Sequence, residues 1–181
     1  MKQKFIVVDI ESDGPLQGIN SIVCFGAIIV EPTLTKTFYG QCRPISKVYN
    51  AEALAISGFT RKEHESFEEP KVVFERFDKW LRENIQGQPV LFSDNNGYDA
   101  SWVNWYFHYF LNKNPFGWSS RRIGDLFCGF EKDLYYKWKQ HRISKHTHDP
   151  VDDARGNAEA LLYLLNKGLK LEELAEQTGI S

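Results

Sequence analysis

Four carboxylates and one histidine occupy three short segments of the chain, and their types suit metal-ion chemistry. Asp9 and Glu11 follow an apolar run, Asp99 precedes an aromatic-rich segment, and His148 precedes Asp153. Carboxylate oxygens are ligands that Mg²⁺ and Mn²⁺ prefer, and an imidazole can accept a proton from a metal-bound water near neutral pH. If the fold brings these five side chains together, they have the chemistry needed to hydrolyse a phosphodiester with two metal ions.

The first segment, Asp9-Ile10-Glu11, comes at the end of a β-branched run, residues 5–8, that predicts a buried central strand. Side chains at positions i and i+2 of a strand point the same way, so Asp9 and Glu11 share a face. Two carboxylates at the end of a buried strand repel each other, and a divalent cation would relieve both the repulsion and the desolvation. The alternative is that the strand ends here and both side chains are solvated.

Asp99 closes the second segment, SDNNGYD, between a predicted strand and a predicted helix. An acid in this place could simply cap the helix or pair with its dipole. The helix carries Trp102, Tyr106 and Phe110 roughly on the Asp99 face. We predict that these rings belong to the core, and the alternative is that they stack on bases at the edge of a site.

The third segment, HDPVDDA, precedes a clearly amphipathic helix. Asp152 and Asp153 fall in its first turn, where pairing with the helix dipole is the alternative to metal binding. His148 lies just outside the helix, where it could lean over a nearby metal site and accept a proton. Taken alone, His148 would be interpreted as a surface histidine.

The composition describes one globular domain. Of the 181 residues, 42% are hydrophobic and 14% aromatic, which is enough to bury a core. The net charge of −2 and the pI of about 6.2 exclude a global basic field, so nucleic-acid binding would need local patches or metal ions. Three cysteines without a CxxC pair disfavour a cysteine zinc site or a disulfide framework. With no signal-peptide pattern or long apolar stretch, we expect a cytoplasmic protein that does not span a membrane.

Apolar patterning predicts strands first and helices later. Strands are predicted at residues 5–8, 21–30, 35–42 and 88–93, and short connections favour antiparallel neighbours among the first three. Helices are predicted at residues 50–58, 70–85, 99–111, 152–166 and 171–177. Because there is no repeat, low-complexity tract or linker, we predict a single α/β domain over residues 1–181 with a mixed sheet.

Together these segments resemble the DEDDh family of 3′→5′ exonucleases, which includes ribonuclease T, oligoribonuclease and the proofreading subunit of bacterial DNA polymerase III. The similarity covers residues 4–166 approximately, through the motifs FIVVDIESDG, NAEALAISGFTRKE, VLFSDNNGYD and HDPVDDA. Asp149 stands where a sister group has tyrosine, so the chain resembles the histidine version. The resemblance implies a ribonuclease H-like α/β fold, in which a mixed five-stranded sheet with its first three strands antiparallel is flanked by helices, and a short C-terminal helix follows.

The resemblance also implies a function and its residues. The enzyme would release nucleoside 5′-monophosphates from the 3′ ends of single-stranded RNA or DNA. Two Mg²⁺ or Mn²⁺ ions would be held by four carboxylates, and His148 would act as the base. The metal ligands would be Asp9, Glu11, Asp99 and Asp153. Contacts to the terminal nucleotide would come from Ser12, Gly14, Leu54, Ile56, Ser57 and Asn95.

Two acids depart from the family pattern. Asp94 stands before Asn95 where the family usually has histidine, and Ser12-Asp13-Gly14 replaces a threonine-containing turn. Each extra carboxylate would either repel the phosphate of the terminal nucleotide or recruit another cation. Ser57 stands where some relatives carry a histidine near the bound nucleotide.

A basic arm, defined here as residues 132–148, leads to His148. It contains five lysine or arginine residues and three histidines against one acid, with Tyr135, Tyr136 and Trp138 interleaved. It is either a positive surface with stacking rings that guides a single strand, or an ordinary solvated segment with its rings in the core. The chain-wide alternatives are a phosphodiesterase for very short oligonucleotides and a catalytically silent nucleic-acid-binding module. The spare aromatic residues leave room for a homodimer interface.

Overall fold

The computed structural model describes residues 5–170, which form a five-stranded mixed sheet with helices packed on both faces. The helix expected at 171–177 lies outside the described residues. The strands are β1 (Phe5–Ser12), β2 (Ile22–Ile29), β3 (Thr37–Gln41), β4 (Val90–Ser93) and β5 (Ser120–Arg122). Their order is β3-β2-β1-β4-β5, with β1, β2 and β3 antiparallel and β4 and β5 parallel to β1. The predicted fold class is therefore confirmed.

Strand β1 continues four residues beyond its initial apolar run. Asp9 pairs with Gly26 and Glu11 pairs with Cys24 on β2, so both acids are part of the sheet. The expectation that Asp9 and Glu11 share a strand face is met, and the alternative that the strand ends with its apolar run is wrong, because the polar positions also pair with β2. Val7 packs in the core beneath the last helix, and by the alternation of a strand Asp9 and Glu11 project to that same face.

The helices form two layers. They are α1 (Ala51–Ile56), α2 (Arg61–Glu65), α3 (Pro70–Asn84), α4 (Asp99–Leu111), α5 (Ile123–Glu131) and α6 (Pro150–Asn166). Helices α3 and α4 cover one face of the sheet, where the predicted core rings Trp102 and Tyr106 are fully buried. Helices α5 and α6 cover the other face, with Phe127 and Leu161 buried against Val7. Among residues 5–170, every helix is too short or too polar to span a lipid bilayer.

Several elements escape prediction from sequence, each for a local reason. Strand β5 has three residues, SRR, with no apolar alternation, and α5 carries two glycines that weaken a helical pattern. Helix α2 has five residues, and a 3₁₀ helix spans Trp138–His141. Helix α6 begins at Pro150 instead of the predicted Asp152. Proline is well suited to the first position of a helix, and the Asp149 side chain caps α6 by accepting hydrogen bonds from the backbone N–H groups of residues 151 and 152.

Candidate active site

Three of the expected ligands converge on the α6 side of the sheet. Carboxylate oxygens of Asp9, Glu11 and Asp153 all lie within 4.8 Å of one another. The first two come from β1 and share its α6-facing side, whereas Asp153 lies in the first turn of α6. Side chains more than 140 positions apart in sequence thus form one cluster of hard oxygen donors.

The close approach of α6 to the sheet depends on Gly26. A Cβ atom added to Gly26 would lie 2.4 Å from the carbonyl carbon and oxygen of Pro150, the first residue of α6. Because Gly26 is the pairing partner of Asp9, the helix starts directly beside the first acidic segment. Sequence reasoning does not assign a role to Gly26, since a glycine inside an apolar run shows only that backbone approaches closely somewhere.

Asp99 reaches the same region from the opposite layer. It is the first residue of α4, with 4% of its surface exposed, and its carboxylate accepts a hydrogen bond of 3.1 Å from the backbone N–H of Asn95. Asp99 therefore braces the turn that follows β4. Its charge also acts on Asp9, whose pKa it helps to raise. The second segment thus contributes a buried carboxylate beside the three-residue cluster.

The electrostatics of the cluster favour a cation. Burial raises the pKa of Asp9 well above its usual range, and the carboxylates of Asp99, Asp153 and Glu11 raise it further, with Arg142 opposing. Burial is also the main cause that raises the pKa of Glu11. Burial likewise raises the pKa of Asp99 to about 7, and the charge of the neighbouring Asp94 adds to that shift.

These shifts test whether the residues fit the divalent metal that the family implies. The ionised forms of the carboxylates are disfavoured because too many negative charges share one poorly solvated place. A divalent ion reverses this balance, and the donor set is oxygen throughout, which suits Mg²⁺ or Mn²⁺. The site residues therefore fit a divalent cation, and they could hold one.

His148 lies at the mouth of the cluster. Its side chain is 49% exposed, and Nδ1 lies 3.5 Å from Oε1 of Glu11. The backbone of His148 is left-handed, with φ of 62°, which is uncommon for a residue other than glycine. This conformation turns the chain between the basic arm and α6 and places the imidazole beside the carboxylates.

The loop 146–148 wraps the Asp153 carboxylate, which belongs to a residue with only 1% of its surface exposed. The backbone N–H groups of Thr147 and His148 donate to its two oxygens at 3.1 and 3.0 Å. Nδ1 of His146 lies 2.7 Å from Oδ2 of the same carboxylate. Sequence reasoning counts His146 only among the charges of the basic arm. Its position two residues before His148 is the signal that could have assigned it to the site.

The residues expected to contact a nucleotide lie on two sides of the cluster. Ser12 is buried, its hydroxyl donates to the Gly14 carbonyl at 2.6 Å, and the Tyr98 hydroxyl donates to Ser12 Oγ. Gly14 has no room for a side chain, because a Cβ atom would lie 2.5 Å from Asn20. The hydrogen bond between the side chains of Ser12 and Tyr98 joins the first motif directly to the second.

On the other side, a cleft of about 250 Å³ separates the end of α1 from the His148 loop. Ile56 and Ser57 line this cleft together with His148, and Ile56 is half exposed. Ser57 uses its hydroxyl to donate to the Leu54 carbonyl at 2.6 Å. Leu54 itself lies in the interior, so of these two predicted contacts only Ile56 can be reached by a bound molecule.

Asp13 does not face a substrate. It is fully buried, and its carboxylate accepts a hydrogen bond of 2.5 Å from the Ser21 backbone N–H. The same carboxylate forms an ion pair with Arg61 at 3.0 Å. His64 lies 3.7 Å away, also fully buried. The expectation that Asp13 repels the terminal phosphate or recruits a cation is therefore wrong, because its charge is directed inward and stabilises the turn after β1.

Asp94 is paired with the basic arm. Its carboxylate lies 2.5 Å from Nζ of Lys139 and 3.7 Å from Nη2 of Arg142. Arg142 in turn donates to the Asn157 side chain on α6 and lies over the Trp138 ring. Asp94 already has two cationic partners from the chain, so recruiting another cation is not required to offset its charge.

The aromatic rings of the basic arm are divided between the core and the solvent. Trp138 belongs to the core, and Tyr136 packs against that core, whereas Tyr135 is 86% exposed. The carboxylate of Glu159 on α6 accepts hydrogen bonds of 2.7 Å from the backbone N–H groups of Ile143 and Ser144. The arm is therefore fastened to α6, and part of its aromatic and cationic surface faces solvent.

Comparisons with known proteins agree with this fold. The 3′-5′ DNA exonuclease Cap18 of Escherichia coli is 30% identical over 177 residues, with 92% of this chain and 93% of that protein covered. The nuclease domain of 3′hExo, a DEDDh family member bound to rAMP, superposes with a TM-score of 0.75 at 17% identity, covering 93% and 96% of the two chains. Cell-death related nuclease 4 gives a TM-score of 0.73 at 15% identity, covering 91% and 64%. No protein-family model matches the sequence.

The mixed sheet and its flanking helices define a ribonuclease H-like fold. The chain belongs to the DEDDh family of 3′→5′ exonucleases and is a hydrolase of that kind.

Proposed function

We propose that this enzyme removes nucleoside 5′-monophosphates from the 3′ ends of single-stranded DNA in a reaction that requires two Mg²⁺ or Mn²⁺ ions. Asp9, Glu11, Asp99 and Asp153 would hold the ions, and His148 would accept the proton of the attacking water. The observation that carries this proposal is the cluster of Asp9, Glu11 and Asp153 oxygens within 4.8 Å, with an exposed histidine at its mouth.

The chain's own residues divide the work. Bound divalent ions would supply positive charge to the scissile phosphate and make a water easier to deprotonate. His148 has Nδ1 turned toward Glu11, which leaves Nε2 available to accept a proton at the solvent side. The backbone donors of residues 147 and 148 keep the Asp153 carboxylate oriented toward Asp9 and Glu11.

The cleft beside His148 supports a place for the terminal nucleotide. Ile56 offers an exposed apolar contact there. Ser12 and Gly14 form a turn that is joined through Tyr98 to the turn that contains Asn95. The exposed part of the basic arm would attract the phosphates that follow along the strand. We propose that residues 1–181 act as one exonuclease domain.

The choice of DNA rests on the relative at 30% identity, which is named a DNA exonuclease. The structural neighbours include proteins whose names refer to rAMP and to a histone mRNA stem-loop, but their identities of 16 to 17% support the fold alone. Matched DNA and RNA oligonucleotides of the same sequence therefore provide the decisive comparison. A series from dinucleotides to longer strands separates this function from a preference for very short oligomers.

The experiment is digestion of 5′-labelled single strands with Mg²⁺, with Mn²⁺ and with EDTA, followed by identification of the released products. We expect stepwise shortening from the 3′ end, 5′-mononucleotide products and no reaction in EDTA. Asp9→Ala and Asp153→Ala are expected to lose the activity, whereas Asp152→Ala, at an exposed neighbour of Asp153, keeps it. Full activity in the first two variants would overturn the residue assignment.

A further inference from the structure

A second group of side chains that could hold a metal ion shares one residue, Asp153, with the carboxylate cluster. Ligand atoms of His146, His148 and Asp153 all lie within 4.8 Å of one another. The two imidazole rings are 4.3 Å apart at an interplanar angle of 65°, so they are not stacked and their nitrogens can be directed to a common point. Both histidines are about half exposed, which leaves the group open to ions from solvent.

The chemistry of this group differs from that of the carboxylate cluster. Two imidazoles and one carboxylate suit Zn²⁺ and similar transition metals, whereas Mg²⁺ prefers oxygen ligands. Three protein ligands also leave a fourth position for water, as in many zinc sites. We propose that His146, His148 and Asp153 form a separate binding site for Zn²⁺ or a related transition-metal ion.

The geometry requires a small adjustment. His146 Nδ1 and Asp153 Oδ2 are 2.7 Å apart, the distance of a hydrogen bond. Ligand atoms about 2.0–2.1 Å from a tetrahedral zinc lie roughly 3.3 Å from each other, so the two groups must separate by about half an ångström. His146 lies on an exposed loop and can move this far, while the backbone donors of residues 147 and 148 keep Asp153 in place.

Occupation of this site has a consequence for catalysis, and that part rests on the proposed function. Asp153 is shared between the two groups, and His148 would be a zinc ligand instead of a free base. Zn²⁺ would therefore inhibit the Mg²⁺-dependent reaction by withdrawing two catalytic groups at once. His146 takes part in the zinc site but not in the carboxylate cluster, so it separates the two.

Zinc binding can be measured without substrate. In the Asp9→Asn/Asp99→Asn variant the carboxylate cluster is weakened, and calorimetric titration with zinc chloride at pH 7.5 is expected to show one bound ion. Adding His146→Gln should reduce that affinity at least about 10- to 100-fold, the loss typical of groups that support a metal site. Adding His108→Gln instead, at an exposed histidine on α4, should leave the affinity unchanged.

A second measurement covers the case in which the multiple variant does not fold. Nitrogen-15 NMR of the unsubstituted protein without Mg²⁺ should show Zn²⁺-dependent shifts of the His146 and His148 ring nitrogens, while those of His108 stay in place. Equal zinc affinity with and without His146, or unshifted His146 nitrogens, would overturn the site. These outcomes do not depend on whether the protein digests oligonucleotides.

Inhibition is tested by measuring the activity of each variant with and without added Zn²⁺. The ratio of activity with and without added Zn²⁺, at constant Mg²⁺, should fall strongly in the unsubstituted enzyme. In His146→Gln the zinc concentration for half inhibition should rise at least about tenfold. Zinc binding without this rise would retain the site and refute its effect on catalysis, whereas the absence of any exonuclease activity would refute the proposed function alone.

Discussion

Pro150 packs its carbonyl group into the space that Gly26 leaves by having no side chain. Gly26 is the residue opposite Asp9 in the pairing of β1 with β2, and Pro150 is the first residue of the helix that carries Asp153. This one contact sets how closely α6 approaches the sheet. It therefore sets the separation of two proposed metal ligands that lie at opposite ends of the chain.

Substitution of Gly26 should damage both stability and activity. In Gly26→Ala the new methyl group would lie 2.4 Å from the Pro150 carbonyl, so α6 or β2 must shift. We expect a loss of about 1–3 kcal/mol in the free energy of unfolding, with a fall in exonuclease activity. Chemical denaturation measures the first and oligonucleotide digestion the second.

The matched control is Gly129→Ala in α5, where a Cβ atom would meet nothing within 4 Å. An exposed helical glycine replaced by alanine should gain about 0.5–1 kcal/mol and leave activity intact. If Gly26→Ala behaved as the control does, the close approach of α6 would not be required.

Asp9 should lower the free energy of unfolding when no metal is bound. Its raised pKa, caused by burial and by the surrounding carboxylates, means that its ionised form is disfavoured in the fold. Asp9→Asn should therefore abolish activity and still raise the free energy of unfolding in EDTA by about 0.5–2 kcal/mol. For a chain of this size that corresponds to a rise in Tm of a few degrees, about 2–4 °C per kcal/mol.

Thermal unfolding with and without Mg²⁺ provides the check on Asp9. Mg²⁺ should raise the Tm of the unsubstituted protein and have a smaller effect on Asp9→Asn, because a ligand stabilises only the state that binds it. Asp152→Asn, at an exposed residue of the same negative region, serves as the control and should respond to Mg²⁺ as the unsubstituted protein does. An unchanged response to Mg²⁺ in Asp9→Asn would argue against Asp9 as a ligand.

The charge of Asp94 should weaken the attraction between the basic arm and single-stranded DNA. Its carboxylate is paired with Lys139 and lies near Arg142, so Asp94→Asn would release positive charge beside the site. We expect single-stranded DNA to bind on the order of three times more tightly at low salt, with the difference shrinking as salt screens the charges. Fluorescence anisotropy across a salt series, in Ca²⁺ to prevent cleavage, measures this effect.

The reciprocal variant is Lys139→Gln, which should bind DNA more weakly because Asp94 loses its closer cationic partner. A change in the same direction for both variants would show that the pair acts through structure and not through charge.

Acid should destabilise the protein through His64. Burial lowers the pKa of His64 to about 4, from 6.5 for an ordinary histidine. The unfolded state therefore binds more protons between these values, so the contribution to stability is complete above pH 6.5 and is lost as the pH falls through this interval toward 4. The loss is on the order of 2 kcal/mol by pH 4.5, after allowance for the nearby Asp13 carboxylate.

Denaturation of His64→Gln at pH 7 and pH 4.5 isolates that contribution. The variant should lose about 2 kcal/mol less than the unsubstituted protein over this change of pH, whereas His108→Gln, at an exposed histidine, should show the full loss. Parallel pH profiles for the unsubstituted protein and His64→Gln would exclude His64 as the source.

The local patterns in the sequence predict much of the fold. The apolar runs predict strands β1 to β4, and helical spacing predicts α3, α4 and α6 to within about two residues, because such periodicity depends on near neighbours. The short or polar elements β5, α2 and α5 have no comparable pattern, and they form because the sheet and the layers around it provide partners.

The sequence by itself determined which atoms are available for chemistry, namely the carboxylates of the three motifs and the imidazole of His148. Their order and their framing by strands and helices were also readable, because they are properties of short segments. Only the tertiary structure decided which partner each remaining charged side chain meets. Asp13 is directed inward to Arg61, Asp94 is paired with Lys139, and His146 is brought to Asp153.

The physical reason is the range of the interactions. A side chain's charge and its position on a strand or helix are local, whereas its neutralising partner can come from any part of the chain. The partner of Asp94 lies 45 positions away, and the space that admits α6 is made by a glycine in β2. Pairings of this kind are settled by packing, and packing exists only after the whole chain has folded.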